Sequence, residues 1–216
     1  MSQYFCPLCR SPQHSLVLKN KKREFYLCSQ CSLTFVPSSF HLSKIEEQDR
    51  YTKHNNSSDD PIYKEFLMTL TTPLLKKAVS GVSWKGLDFG SGPSDTLSLI
   101  MREEGHDFYS YDPFFKNDTS LLETKYDVIT CSEAIEHFSN PELEWEKLWS
   151  LLKPNGILAV MTQFRSFEKK LSDWWYIRDL THVSFFSKAT FDWLADRDHL
   201  KSSRYGNSVI LFEKRN

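Results

Sequence analysis

Residues 86–96 read GLDFGSGPSDT, and this stretch decides the fold. Leu87 to Phe89 is a short apolar run holding one acid, Asp88, and Gly90 and Gly92 follow at once. The run suits a buried strand. The two glycines take backbone angles that a side chain forbids and let a ligand approach the main chain closely. Pro93 suits a first helical position, and Ser94 and Asp95 favour a helix start. Leu97, Leu99, Ile100 and Met101 then carry a helix to Gly105, a C-terminal cap. Strand, glycine loop and helix in this order predict a ligand site in an α/β fold.

A dinucleotide-binding loop wants a small residue at the third glycine position and no acid facing a pyrophosphate, yet Asp95 stands there. No lysine of the G-K-[ST] kind follows the glycines, so a nucleoside triphosphate is also disfavoured. What remains is a ligand without phosphates that accepts acids nearby. S-adenosylmethionine, a sulfonium cation with an ammonium group and a ribose diol, meets that description.

The LDFGSGPS segment, YDPFF at 111–115, YDVITCSEAIEHF at 126–138 and LLKPNGILAV at 151–160 together resemble the ordered motifs of class I S-adenosylmethionine-dependent methyltransferases. The resemblance covers roughly residues 80 to 215, and its strength is the ordered set. It implies a Rossmann-like α/β sheet, mostly parallel with one antiparallel strand, and S-adenosylmethionine as cofactor. It further implies that Asp88, Gly90 and Gly92 line the methionine part, with Phe89 among the binding residues. Asp112 would bind the ribose hydroxyls, and Ser132 and Glu133 would lie beside the ligand after the fourth strand.

With 216 residues the chain holds one α/β domain and one small module; 40% hydrophobic and 14% aromatic residues supply a core. A net charge of −1 gives no electrostatic footprint for nucleic acid. The start MSQYFCPLC has neither the basic beginning nor the apolar core of a secretory signal, and no stretch approaches the ~20 apolar residues of a membrane span. The expectation is a soluble cytoplasmic protein.

Cys6, Cys9, Cys28 and Cys31 form C-x2-C-x18-C-x2-C, the spacing of a four-thiolate zinc site, with a redox pair or a four-thiolate iron centre as the alternatives. Between the pairs, LVL at 16–18 and EFYL at 24–27 read as a hairpin, and Lys19, Lys21, Lys22 and Arg23 at its tip read as a solvated turn. A module this small lacks a sufficient core of its own, so the metal would supply folding energy. The predicted organisation is a zinc-ribbon-like module at 1–36, a polar linker at 37–60 and the methyltransferase-like domain at 61–216. Arg50, Tyr51 and His54 lie just ahead of the domain's first helix, where a loop borders the cofactor pocket in proteins this sequence resembles, and His54 is a candidate for a site role.

Along the domain, the apolar spacing from Ile62 to Val79 predicts a helix broken near Thr71-Thr72-Pro73. Residues 107–112 read as a strand ending in Asp112. Only thirteen residues separate Asp112 from Tyr126, so the family's third strand is short or lost and no adenine contacts are assigned. A strand at 126–131 follows, with Asp127 structural at its start and Cys131 a buried apolar residue. Then come a helix at 141–152, a turn at Lys153–Gly156, an apolar strand, a helix at 188–196 and a hairpin of 201–205 with 208–213. The segment WWYIRDLTHVSFFS at 174–187 lies where substrate pockets occur in proteins this sequence resembles, so His182 and, from SEAIEHF, His137 are the candidate bases. These readings predict methyl transfer to O, N or C of a small molecule. The alternatives are an RNA methyltransferase that docks RNA on the zinc module, and a non-catalytic partner-binding protein on a relic fold.

Overall fold

The computed structural model describes residues 4–52 and 58–214; His54 lies outside them. The chain begins with β1 (His14–Lys19), β2 (Glu24–Cys28) and the short β3 (Thr34–Phe35), followed by α1 (Lys44–Tyr51) and α2 (Pro61–Leu75). Next are β4 (Lys85–Phe89), α3 (Thr96–Glu103), β5 (Asp107–Tyr111), β6 (Tyr126–Ser132), α4 (Pro141–Leu151) and β7 (Leu152–Met161). β8 (Ser184–Phe185), α5 (Lys188–Arg197), β9 (Lys201–Tyr205) and β10 (Val209–Glu213) complete the order.

Six strands form the central sheet in the order β5-β4-β6-β7-β10-β9. The β5, β4, β6 and β7 pairings are parallel, and β10 runs antiparallel to both β7 and β9. Alternation along the strands feeds both faces, as period-2 geometry requires. On β6, Val128 joins Leu67, Leu70 and Leu74 of α2 and Met101 of α3 in one buried layer. Ile129 and Cys131 point the other way, into a layer with Trp145 and Leu148 of α4 and Phe191 of α5. That second layer also contains Cys6, Leu8, Cys28 and Cys31, so the cysteine module shares the main core.

Four local expectations are corrected. The 37–60 stretch, read as an irregular linker, holds α1, started by a capping box in which Ser43 and Glu46 satisfy each other's main chain. α2 passes unbroken through Pro73 and ends at Leu75. α3 begins at Thr96 rather than Pro93. Residues 153–156, read as a turn, lie within β7: Tyr126 pairs with Leu152 and Val128 with Ile157, so the extra residues bulge out of the ladder, with Asn155 at φ 60°. Between Asp112 and Tyr126 there is one 3-10 turn, Thr119–Glu123, and no strand element of its own.

The small sheet runs β1-β2-β3-β8, so its last strand comes from residues 184–185, far along the chain. No helix among the described residues is long and apolar enough to cross a membrane.

Candidate functional site

The carboxyl ends of β4, β5 and β6 lie side by side, because the three strands are parallel and adjacent. Ligands of open α/β sheets gather at such an edge. Gly90 turns the chain there at φ 78°, its N–H donating to the Tyr111 carbonyl at 2.8 Å. A Cβ on Gly90 would stand 2.6 Å from the Ala134 Cβ, so both backbone angle and space demand glycine. Gly92, at φ 63°, meets nothing within 4 Å where a Cβ would be, which leaves its main chain open to a ligand. Its N–H donates to Asp112 Oδ2 at 2.9 Å, while Asp112 Oδ1 accepts the N–H groups of Phe114 at 2.8 Å and Phe115 at 3.1 Å. Asp112 is therefore a clasp that fixes the glycine loop against the loop after β5.

A cavity of about 1200 Å³ opens above this edge. That exceeds the roughly 300–1,000 Å³ of most small-ligand sites and gives room for two molecules. Phe89, Gly90, Gly92, Asp112, Ser132 and Glu133 all line it; Asp88 does not. Asp88 sits behind the wall, 4% exposed, accepting the Thr130 hydroxyl at 2.8 Å. Burial pushes its carboxyl up to about 7, although the Thr130 hydrogen bond works the other way.

The opposite wall carries acids and imidazoles. Glu133 is held at φ 46° by its N–H, which donates to the Met161 carbonyl at 2.7 Å. The Tyr176 hydroxyl bridges Glu133 Oε2, at 3.1 Å, and Glu136 Oε1, and lies 3.1 Å from the Thr162 hydroxyl. Burial raises both carboxyls, Glu133 to about 9 with the nearby Glu136 adding to it, and Glu136 to about 7. His182 and His137 also face the cavity, their rings 4.7 Å apart and near-perpendicular. His182 Nδ1 donates to the Tyr176 carbonyl at 2.9 Å and His137 Nδ1 to the Thr181 carbonyl at 3.2 Å. A carbonyl only accepts, so each neutral ring carries its proton on Nδ1 and its lone pair on Nε2. The structure thus brings the two candidate bases into one cluster with Glu133 and Glu136.

The segment 177–182 that carries His182 is held from two sides, by Arg23 and by Arg50. Arg23, read as part of a solvated tip, is instead 2% exposed. Its guanidinium donates to the carbonyls of Ile177, Asp179, Leu180 and His182, the last at 2.7 Å. Burial lowers it to about 10, still charged at neutral pH. From α1, Arg50 pairs with Asp179 at 3.2 Å. Burial opposes ionisation of Asp179, but the Thr181 N–H and hydroxyl, then the charges of His182 and Arg50, outweigh it and hold the carboxyl at about 2. Tyr51 of α1 packs edge-on against His137 at 5.2 Å. The one local signal for α1 was the Ser43…Glu46 spacing of a capping box.

Away from the cavity, Sγ of Cys6 and Cys31 are 3.5 Å apart, those of Cys9 and Cys28 3.4 Å, and all four lie within 4.8 Å of one another. None is in a disulfide. Each knuckle closes by an N–H to the carbonyl of its first cysteine, from Arg10 to Cys6 and from Ser32 to Cys28, and both closing residues take positive φ. This donor set is compatible with a tetrahedral four-thiolate zinc ion.

Comparison with known proteins agrees with this geometry. The sequence model of a family described as methyltransferase domain matches residues 54–200. A ubiquinone biosynthesis O-methyltransferase of Histophilus somni (strain 2336) is 33% identical over 95 residues, spanning 42% of this chain and 40% of that protein. The protein of the same name from Vibrio atlanticus (strain LGP32) is 30% identical over 94 residues, 44% of this chain and 40% of its own length. The chain therefore matches less than half the length of these curated relatives. Among solved structures, the Burkholderia thailandensis 1,6-didemethyltoxoflavin-N1-methyltransferase, bound to 1,6-didemethyltoxoflavin and S-adenosylhomocysteine, has a TM-score of 0.57 at 12% identity and covers 94% of this chain and 100% of that one. The plantazolicin methyltransferase BpumL in complex with SAH has a TM-score of 0.51 at 14% identity, over 80% of this chain and 90% of that one. At such identities these likenesses establish the fold. With the family model matching well over half of this chain, and with the sheet and glycine loop described above, the chain belongs to the class I S-adenosylmethionine-dependent methyltransferase family.

Proposed function

We propose that the chain transfers a methyl group from S-adenosylmethionine to a small-molecule acceptor, with oxygen favoured over nitrogen or carbon as the methylated atom. One observation carries this reading: a single cavity joins the Gly90–Gly92 loop and Asp112 on one wall to Glu133, Glu136, His137 and His182 on the other. The relatives named as O-methyltransferases support oxygen. The bound cofactor supplies an electrophilic methyl carbon on a sulfonium, whose sulfur keeps the electron pair of the broken bond. The protein's tasks are then alignment, exclusion of water and removal of the acceptor's proton.

The open main chain at Gly92 and the wall at Phe89 and Gly90 receive the amino-acid part of the cofactor. Asp112 offers its remaining acceptor capacity to the ribose diol. Ser132 and Glu133 complete that side, and Asp88 accepts the Thr130 hydroxyl behind the wall. His182 and His137, with lone pairs on Nε2, stand where the acceptor's proton leaves. In this reading zinc on Cys6, Cys9, Cys28 and Cys31 is structural, since four thiolates leave no open position for chemistry. Residues 1–36 are the metal module, 37–60 a connector that lends α1 to the cavity, and 61–216 the transferase domain. Reduced thiols suit a cytoplasmic setting.

The test is transfer of labelled methyl to a panel of small hydroxylated compounds, with His182→Ala beside the wild type. The variant is expected to lose roughly 10²-fold or more in single-turnover rate while S-adenosylhomocysteine affinity stays nearly intact. A large drop in melting temperature with a normal rate in the folded fraction assigns His182 to packing.

A further inference from the structure

A 3-10 turn, Trp175–Arg178, lies on the wall of the cavity a few residues ahead of His182. Such a turn has three residues per revolution, so side chains three apart stand one above the other. Trp175 and Arg178 have that spacing: both are exposed and both line the cavity, while Tyr176 and Ile177 between them are buried. We propose that this indole and this guanidinium are the specificity-determining pair of the site. The acceptor they select is a hydroxylated aromatic carboxylic acid, its ring against Trp175 and its carboxylate held by Arg178. The inference rests on the methyl-transfer reading and deepens it by naming the acceptor class.

The charged groups around the cavity single out Arg178. Asp112 accepts three main-chain N–H groups, and Asp179 is held by Thr181 and Arg50. Glu144 pairs with Lys147, Glu47 accepts the Tyr51 hydroxyl, and Glu133 and Glu136 share the Tyr176 hydroxyl. Lys44 has no hydrogen bond or ion pair among the described residues, but its charge acts on Glu47 of the same helix. Arg178 has no hydrogen bond or ion pair among the described residues either, and it has no acid set against it on its own turn. Its main chain is fixed nonetheless: Arg23 takes the carbonyls of Ile177 and Asp179 on either side, and the Tyr176 carbonyl accepts the His182 ring proton. A guanidinium on a fixed backbone with its N–H donors free is preorganised for a planar oxyanion, which it binds through two parallel N–H bonds. One guanidinium matches the single charge of a carboxylate, whereas the second charge of a phosphate monoester would be left facing the acids of the same cavity.

Trp175 supplies the aromatic half of the pair. It is 60% exposed, and an edge contact with the buried Tyr176 ring at 5.3 Å sets the plane of its indole. Ile45 of α1 and Phe66 of α2, 81% and 38% exposed, line the same cavity. Three large apolar side chains from three separate elements are thus left uncovered around one opening, and an aromatic ring seated among them removes that surface from water. An aliphatic acid would satisfy Arg178 and leave the indole unstacked; an uncharged phenol would do the reverse. An aryl acid uses both residues of the turn, and its hydroxyl is left for His137 and His182, which line the same cavity.

The experiment is calorimetric titration of the full chain, saturated with S-adenosylhomocysteine, with 4-hydroxybenzoate and 3,4-dihydroxybenzoate, each beside its uncharged carboxamide, and with 4-hydroxycyclohexanecarboxylate. The expected result is that each aryl acid binds about tenfold or more tightly than its amide, and that the cyclohexane acid binds more weakly than 4-hydroxybenzoate. Arg178→Gln is expected to bring acid and amide within about threefold of each other, with Arg178→Lys between, since an ammonium keeps the charge and loses the fork. Trp175→Ala is expected to weaken acid and amide alike. Both side chains are exposed, so the variants are expected to melt close to the wild type. Failure of the wild type to bind the acids, equal binding of acid and amide, or a preference for the acid that survives in Arg178→Gln overturns the proposal. The loading titration with S-adenosylhomocysteine reports the donor site separately: bound cofactor product without bound acid defeats this inference alone, and no bound cofactor product defeats the methyl-transfer reading and this inference with it.

Discussion

Asp88 shows how far one residue could be understood before the structure. Its place in the glycine-loop motif was legible, but its position behind the cavity wall was not, since strand alternation alone does not say which layer a loop will cover. Burial pushes its carboxyl up to about 7 from an ordinary 3.8. The raised value means that the folded protein holds this proton more tightly than the unfolded chain. The resulting stabilisation is fully present below about pH 4 and is lost as pH rises through 7. Asp88→Asn cannot ionise and keeps an oxygen for Thr130. The ligand-free variant is therefore expected to melt above the wild type at pH 8, with a clearly smaller gap at pH 5. A gap independent of pH in thermal melts contradicts this account of Asp88.

Between elements, the glycine loop after β4 and the loop after β6 meet at Gly90 and Ala134. Both loops were legible, one from its glycines and the other from SEAIEHF, but their contact was not, because it depends on strand order rather than on local sequence. Gly90→Ala adds a Cβ at φ 78° and 2.6 Å from the Ala134 Cβ. It is expected to cost about 1–3 kcal/mol of stability. The double variant Gly90→Ala, Ala134→Gly recovers the packing part and leaves the backbone strain. Denaturant titration of the two proteins checks this; equal losses in both place the whole cost in the backbone. α1 was obscured for the opposite reason: it has no buried residue of its own, so hydrophobic periodicity could not reveal it, and only its capping box could.

Over the whole molecule, the mostly parallel sheet and the antiparallel hairpin that ends it were legible in the motif series, whereas the joining of the cysteine module to the segment that carries His182 was not. That joining rests on Arg23, 159 residues from His182 in sequence, and on the pairing of β3 with β8. No local pattern marks a hairpin-tip arginine as a buried clamp on four carbonyls. Arg23→Met is expected to cut methyl transfer at least tenfold while S-adenosylhomocysteine affinity changes by less than about threefold, and, on the reading that the four cysteines hold zinc, chelation of that ion is expected to do the same. Comparison of rate and affinity in the variant checks it, and parallel loss of both shows general unfolding instead. The central claim, that the edge formed by Gly90, Gly92 and Asp112 is a methyl-donor site, is tested most directly by calorimetric titration of S-adenosylhomocysteine into the wild type and Asp112→Ala. The account predicts one molecule bound per chain, with affinity lowered by about 1–3 kcal/mol in the variant, which loses the clasp on the glycine loop and the charged acceptor for ribose hydroxyls. Absence of binding to the folded wild type, or identical affinities for the two proteins, contradicts it.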